Sequence, residues 1–406
     1  MKRAATPADA IQGRIPSSVY EPETIEEARG VLEALSLSGY TSVFVGGRTK
    51  LGLGSAPVRL DAVVCTGKLA RIVEYSPSDQ VITVEAGITL GALQERLAQD
   101  RQRLALDPPW PARATLGGII ATSSFGPLRA RSGSIRDLIL GVSLVRADGV
   151  LAKGGGKVVK NVAGFDLPKL ACGSLGTLGM IVSATLRVHP LPQSTAALVV
   201  RGVDAAGVSA LTAAVRAAQL EPAALLARRR GPGGWEVALR FEGFDAGVTE
   251  QVARLAAIAA TSADGVAEAS LFVAHQNARE GATLRLKLGA LPNALPAVEA
   301  ALGPLASLLP DAELTWYPTL GLGFFSAVAG AGTGAGGLAA IVAALGPARR
   351  ALRAVGGHLT IEVAPDGVHG QIEPWSAPSS LGLQRAMKSR FDPTGLLAPG
   401  RFLGGI

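Results

Sequence analysis

The chain has 406 residues, nearly half of them apolar and 17% charged, with a formal net charge of +7. That composition excludes a disordered chain, and the length exceeds one ordinary core, so two or three domains are expected. Its basic residues are scattered apart from Arg228-Arg229-Arg230, and its few aromatics are not interleaved with arginine, so no nucleic-acid partner is expected.

Cys65 and Cys172 lie far apart in apolar surroundings. They are expected to be small core side chains rather than a disulfide or metal pair, which points to a reduced, cytoplasmic compartment. The basic N-terminus is not followed by an apolar stretch, so no secretory signal is expected. Residues 314–347 carry no charge, but Gly, Ala and Pro318 break the run into a strand (322–329), a turn and an Ala-rich helix. This predicts a buried soluble segment rather than a membrane span.

In chain order, the first signal is a helix opening at Thr24, with Glu27 completing a capping box and Ile25, Ala28, Leu32 and Leu35 at helical spacing. A short apolar run, Val43-Phe44-Val45, then flows into a glycine loop at Gly46–Gly54. Strand 61–65, a hairpin of 71–75 with 81–86 and a helix over 90–99 follow. A second glycine-dense section covers 108–133, and a second hairpin joins 138–146 to 150–153 through Ala147-Asp148-Gly149. A third glycine-dense section, 154–179, leads into strand 180–188, and Pro190-Leu191-Pro192 marks a domain boundary. Beyond it, strand 196–201, helix 208–219, strands near Ala224 and over 235–241, helix 248–260 and strand 269–274 predict a β-α-β-β-α-β unit. The order recurs from strand 284–288 through helices near Val298 and Ile341 to strand 358–363. Two tandem ferredoxin-like halves with helices on one face are expected.

Glycine admits positive φ and close approach of a ligand, and successive N–H groups in such loops form nests for phosphate. Arg48 and Lys50 add positive charge suited to a pyrophosphate. The P-loop pattern is absent, and Gly52-Leu53-Gly54 continues as Ser55-Ala56-Pro57, so it is no Rossmann fingerprint either.

Four blocks carry a resemblance: Val45 to Gly52; Thr115 to Thr122 with Arg131 to Asp137; Lys160 to Leu167 with Gly173 to Ile181; and Phe391-Asp392-Pro393 with Leu396 to Arg401. In order and spacing they resemble the vanillyl-alcohol-oxidase/p-cresol-methylhydroxylase (PCMH) type of FAD-binding flavoproteins. The resemblance implies an α+β fold with a two-lobed FAD-binding domain at 1–192. A cap domain of tandem ferredoxin-like units at 193–365 and a segment at 366–406 returning to the FAD domain complete it. It further implies that Gly46, Gly47, Arg48, Thr49, Lys50, Leu51 and Gly52 wrap the FAD pyrophosphate. Pro109, Thr115, Leu116, Gly117, Gly118, Ala121, Thr122, Arg131 and Gly133 would line the dinucleotide and flavin, with Gly173, Gly176, Thr177, Gly179 and Ile181.

Within the family the chain is most similar to the smaller of the FAD-binding flavoprotein subunits found in bacterial glycolate oxidases. This implies a larger FAD-binding glycolate oxidase subunit and an iron–sulfur subunit as partners, a small 2-hydroxy acid as substrate of the complex, and at most peripheral membrane association, at the inner face, through those partners. Two departures qualify the likeness. The glycine loop has no His or Cys, so noncovalent FAD is expected. The clustered histidines of the larger, metal-bearing subunits are also missing, since His189, His275, His358 and His369 are not spaced as a ligand set. No metal and no assigned catalytic residue are therefore expected. The alternative is a self-sufficient FAD-dependent 2-hydroxy acid dehydrogenase, with Arg240, Arg285 or Lys287 as carboxylate clamp and His369 as base. A nicotinamide-dependent reductase has no supporting motif.

Overall fold

The computed structural model describes the chain apart from residues 159–163, 232, 260–267, 330–333, 366, 367, 369 and 377. The chain forms two units, residues 1–126, 133–191 and 377–406 in one and 127–132 with 192–376 in the other.

The first unit contains two main sheets. One has the strand order Lys2–Ala4, Ser18–Tyr20, Ala62–Cys65, Ser42–Val45, with the last three parallel and the first antiparallel. The helix Ile25–Leu37 buries Ala28, Leu32 and Leu35 in a core shared with Val64, Val145 and Met180, as its apolar stripe requires. Thr24 Oγ1 accepts from the Glu27 amide at 3.1 Å. Glu27 departs from the expected box, accepting from the Glu23 amide at 2.9 Å.

The second sheet is antiparallel, in the order Ile72–Ser76, Val81–Glu85, Met180–Arg187, Ile139–Val145, Leu151–Gly155. Both expected hairpins are there, and Ile82, Val84, Ile139 and Val142 from their inner strands join the core. Helices Leu90–Ala98 and Leu116–Thr122 pack Leu93, Leu97, Ile119 and Ile120 onto Ile82, Val84 and Leu186.

The C-terminal segment is built into this unit. After the helix Leu381–Phe391, Asp392 accepts the amides of Leu396 (3.1 Å) and Leu397 (2.8 Å) and the Lys388 ammonium (2.6 Å). That turn lays the chain beside the first sheet, where Ser42 donates to Leu396 O and Ala398 donates back to Ser42 O. Phe391-Asp392-Pro393 thus opens a turn in which the buried Asp392 carboxylate organises the return.

The second unit is a seven-stranded antiparallel sheet, in the order Ser194–Val203, Trp235–Gly243, Ala224–Arg230, Glu313–Tyr317, Leu322–Ala327, Leu284–Gly289, His358–Val363. Helices Ala205–Ala217, Asp245–Ala259, Leu295–Leu308 and Gly334–Ala354 cover its apolar face, where Leu239, Leu286, Trp316 and Phe325 form the core. The second half is a complete β-α-β-β-α-β unit, its strand Glu313–Tyr317 having escaped the sequence reading. The first half departs from expectation. Residues 269–274, expected as its last strand, lie in the helix Glu268–Gly281. The apolar run Leu271-Phe272-Val273-Ala274 looks strand-like, but Phe272, His275 and Arg279 recur at helical spacing and contact Arg240, Tyr317 and Phe324. Those three alternate along their strands with core residues, so this helix lies on the face opposite the other four, which corrects the expectation of helices on one face only.

Candidate functional site

In the first unit, the strand Ser42–Val45 runs directly into the glycine loop, which borders a partly open cavity. Local packing demands the glycines. A Cβ on Gly46 would meet Thr115 Oγ1 at 2.0 Å, and one on Gly47 would meet Arg113 O at 1.7 Å. Arg48 follows with φ of 58°, a left-handed position of the kind from which anion-binding nests are built.

From the loop, Gly46, Gly47, Arg48, Thr49, Lys50 and Leu51 line the cavity. Thr115, Gly117, Gly118, Ala121 and Thr122 join them from around the helix Leu116–Thr122, with Gly176, Gly179 and Ile181 from the third section. Three segments far apart in sequence therefore meet at one cavity. The other expected residues do not line it. Leu116 is in the domain core, Pro109 is buried, and the Gly52 carbonyl accepts from Gln12 Nε2 at 2.9 Å. Gly133, at φ of 78°, precedes the short helix Ile135–Leu138. Gly173 and Thr177 line a second cavity with Cys172 and Lys388. Arg131 belongs to the second unit, where it donates to Glu242 O at 3.2 Å. The segment Lys160-Asn161-Val162-Ala163 lies outside the described residues.

The charge at the loop is arranged differently from the sequence expectation. Arg48 lines the cavity, but its guanidinium turns to Asp9 (3.0 Å) and Ala8 O (3.1 Å). Asp9 is also held by a fork of two 2.8 Å bonds from Arg3, whose guanidinium keeps this carboxyl far below its usual range. Arg48 thus anchors the N-terminal segment to the loop. Residues absent from the expected set also line the cavity: Val43, Phe44, Val45, Thr66, Leu175 and Arg401. Arg401, 4% exposed, donates through Nη2 to Leu51 O (3.0 Å) and Leu53 O (2.9 Å). Its Nη1 is buried without a hydrogen-bond partner, and burial alone pulls its pKa down to about 10. Of these, Val45, Leu175 and Arg401 lie inside the blocks that carry the resemblance and Val43 and Phe44 in the apolar run before the loop, while Thr66 carried no sequence signal.

The second unit's candidates are committed to other contacts. Arg285, 0% exposed, pairs with Glu362 at 2.9 Å and donates to Arg279 O. Arg240 stacks on Phe272 at 4.1 Å, and burial pushes the Lys287 ammonium down. His275, expected at a strand end, is mid-helix and 1% exposed, 2.6 Å from Tyr317 Oη through Nε2. Burial draws its pKa to about 4, against the pull of Glu313. His189 lies in a two-residue strand paired with Gln102–Arg103, His358 is exposed, and His369 is outside the described residues. Among the described residues, no three His, Cys, Asp or Glu side chains are grouped to hold a metal, and no helix is long and apolar enough to cross a membrane.

With this geometry in view, comparisons with known proteins are informative. Residues 16–155 match the family model described as the FAD binding domain. Glycolate oxidase subunit GlcE of Escherichia coli (strain K12) is 39% identical over 128 residues, 31% of this chain and 37% of that protein. A D-lactate dehydrogenase of Archaeoglobus fulgidus is 34% identical over 173 residues, 42% of this chain and 38% of that protein. A D-2-hydroxyglutarate dehydrogenase of Xanthomonas citri pv. viticola is 32% identical over 186 residues, 45% of this chain and 39% of that protein. The matches thus span under two fifths of each relative's length. A solved alkyldihydroxyacetonephosphate synthase shares the fold over 95% of this chain and 76% of its own, with TM-score 0.68 and 17% identity. The glycine cradle and the buried guanidinium beside it suit an anionic dinucleotide. Residues 16–155 match the FAD binding domain, of PCMH type, and FAD is the cofactor of this α+β flavoprotein.

Proposed function

We propose that the chain is the FAD-binding subunit of a complex of glycolate oxidase type. That complex oxidises glycolate or a similar 2-hydroxy acid to the 2-oxo acid, with a larger flavoprotein subunit and an iron–sulfur subunit. FAD bound here would supply a two-electron carrier within that complex. The loop from Gly46 to Leu51 would hold the pyrophosphate through backbone amides, while Thr115 to Thr122 and Gly176 to Ile181 would seat the remainder. Among the described residues no His or Cys lines the cavity, which supports noncovalent attachment. The site residues named from sequence remain the proposed ligands where they line that cavity. A cytoplasmic place, peripheral to a membrane through the partners, goes with this reading.

One observation favours a partner-dependent subunit over a self-sufficient dehydrogenase. The clamp candidates Arg285 and Arg240 are engaged within the fold, Arg285 with Glu362 at 2.9 Å and Arg240 on the Phe272 ring, while the base candidate His369 lies outside the described residues. The test is the anaerobic visible spectrum of the FAD-loaded chain with glycolate, D-lactate or D-2-hydroxyglutarate. The flavin is expected to stay oxidised alone and to bleach once the partner subunits are added. Rapid bleaching of the single chain would replace this reading with the self-sufficient one.

A further inference from the structure

Arg401 has more hydrogen-bonding capacity than the protein uses. The backbone of this residue is docked against the glycine loop, where Ser55 donates to its carbonyl at 3.0 Å. A Cβ on Gly54 would meet that same carbonyl at 2.3 Å, so the close approach is built in. Nη2 is spent on the carbonyls of Leu51 and Leu53. Nη1 belongs to a cavity-lining guanidinium that is 4% exposed, and it has no hydrogen-bond partner. A buried cation is costly unless an anion compensates it, and no carboxylate among the described residues contacts Arg401.

We infer that Arg401 is an anion-binding residue for the FAD pyrophosphate, reaching the glycine loop from the C-terminal segment. This rests on the FAD reading of the cavity. One side of the fork holds the loop carbonyls and so fixes the direction of the loop amides; the other donates to the phosphate. The loop and the tail, some 350 residues apart, are one binding element. Binding of FAD would therefore tighten the hold of the tail on the loop at Arg401.

The test compares wild type, R401M and R401K, each verified as folded by circular dichroism and thermal melting. Affinities for FAD are read from flavin fluorescence and those for ADP from calorimetry, and the ³¹P resonances of bound FAD are recorded for wild type and R401K. R401M is expected to weaken FAD and ADP together by about 10- to 100-fold, the range of a charge-assisted hydrogen bond. R401K should recover part of that loss and shift the bound pyrophosphate resonances. Wild-type affinity for ADP in R401M would overturn the inference. Should R401M fail to fold, unshifted ³¹P resonances in R401K would do so instead. A wild-type chain that takes neither FAD nor ADP would sink the flavoprotein reading itself, a separate outcome.

Discussion

Buried arginines in the two units are neutralised in different ways. In the second unit, the fully buried Arg285 meets Glu362 at 2.9 Å and the half-buried Arg228 meets Glu313 at 2.6 Å. In the first, Arg401 is nearly as deep, yet its contacts are two loop carbonyls and a cavity. A guanidinium closed by a carboxylate is complete within the fold. One without such a partner marks where an anionic ligand completes the charge balance.

The largest expected effect comes from breaking a paired site. Arg285→Met takes the paired guanidinium away from the buried Glu362 and should cost about 3–5 kcal/mol in urea unfolding. Replacing both residues by apolar ones should recover most of that loss; if the double variant is no better than the single, the pair is not what holds this face. On the cavity side, Gly47→Ala places a Cβ 1.7 Å from Arg113 O, so the loop must shift. Overpacking of this kind costs about 1–3 kcal/mol, and a comparable loss in FAD affinity is roughly 10- to 100-fold by titration. Unchanged affinity would move the cofactor away from the loop.

At neutral pH the smallest effect concerns His275, buried among the paired charges and neutral in the fold. Its folded pKa of about 4 lies below the unfolded value of about 6.5. Between those values the unfolded chain binds the extra proton, so stability is full above the upper value and falls as pH drops toward the lower. The slope should approach about 1.4 kcal/mol per pH unit, and His275→Gln should flatten it in denaturation curves across that window. A slope unaltered in the variant would place the acid sensitivity elsewhere.

Much of the fold is legible because its signals are local. Thr24 caps a helix through the next turn, and the hairpins declare themselves by alternation around short turns. What escaped depends on contacts distant in sequence. Arg48 beside a glycine loop suggests a phosphate ligand, but its partner Asp9 is 39 residues away. Leu271 to Ala274 has strand composition, while the helix they join is fixed by Tyr317, Phe324 and Arg240 on other elements. The three-residue strand Lys2–Ala4 is exposed throughout and so has no apolar pattern to announce it. At the site, the glycines were legible because close approach restricts residue type. The place of Arg401 at the cavity was not, since only folding brings it to Leu51 and Leu53.

The most direct measurement is a titration of the purified, flavin-free chain with FAD, followed by visible absorbance and flavin fluorescence, with ADP as competitor. The account predicts saturation at one FAD per chain, a bound-flavin spectrum and displacement by ADP. A chain that takes up no FAD, or binds it without competition from ADP, would contradict a cofactor held by its pyrophosphate at the Gly46–Leu51 loop.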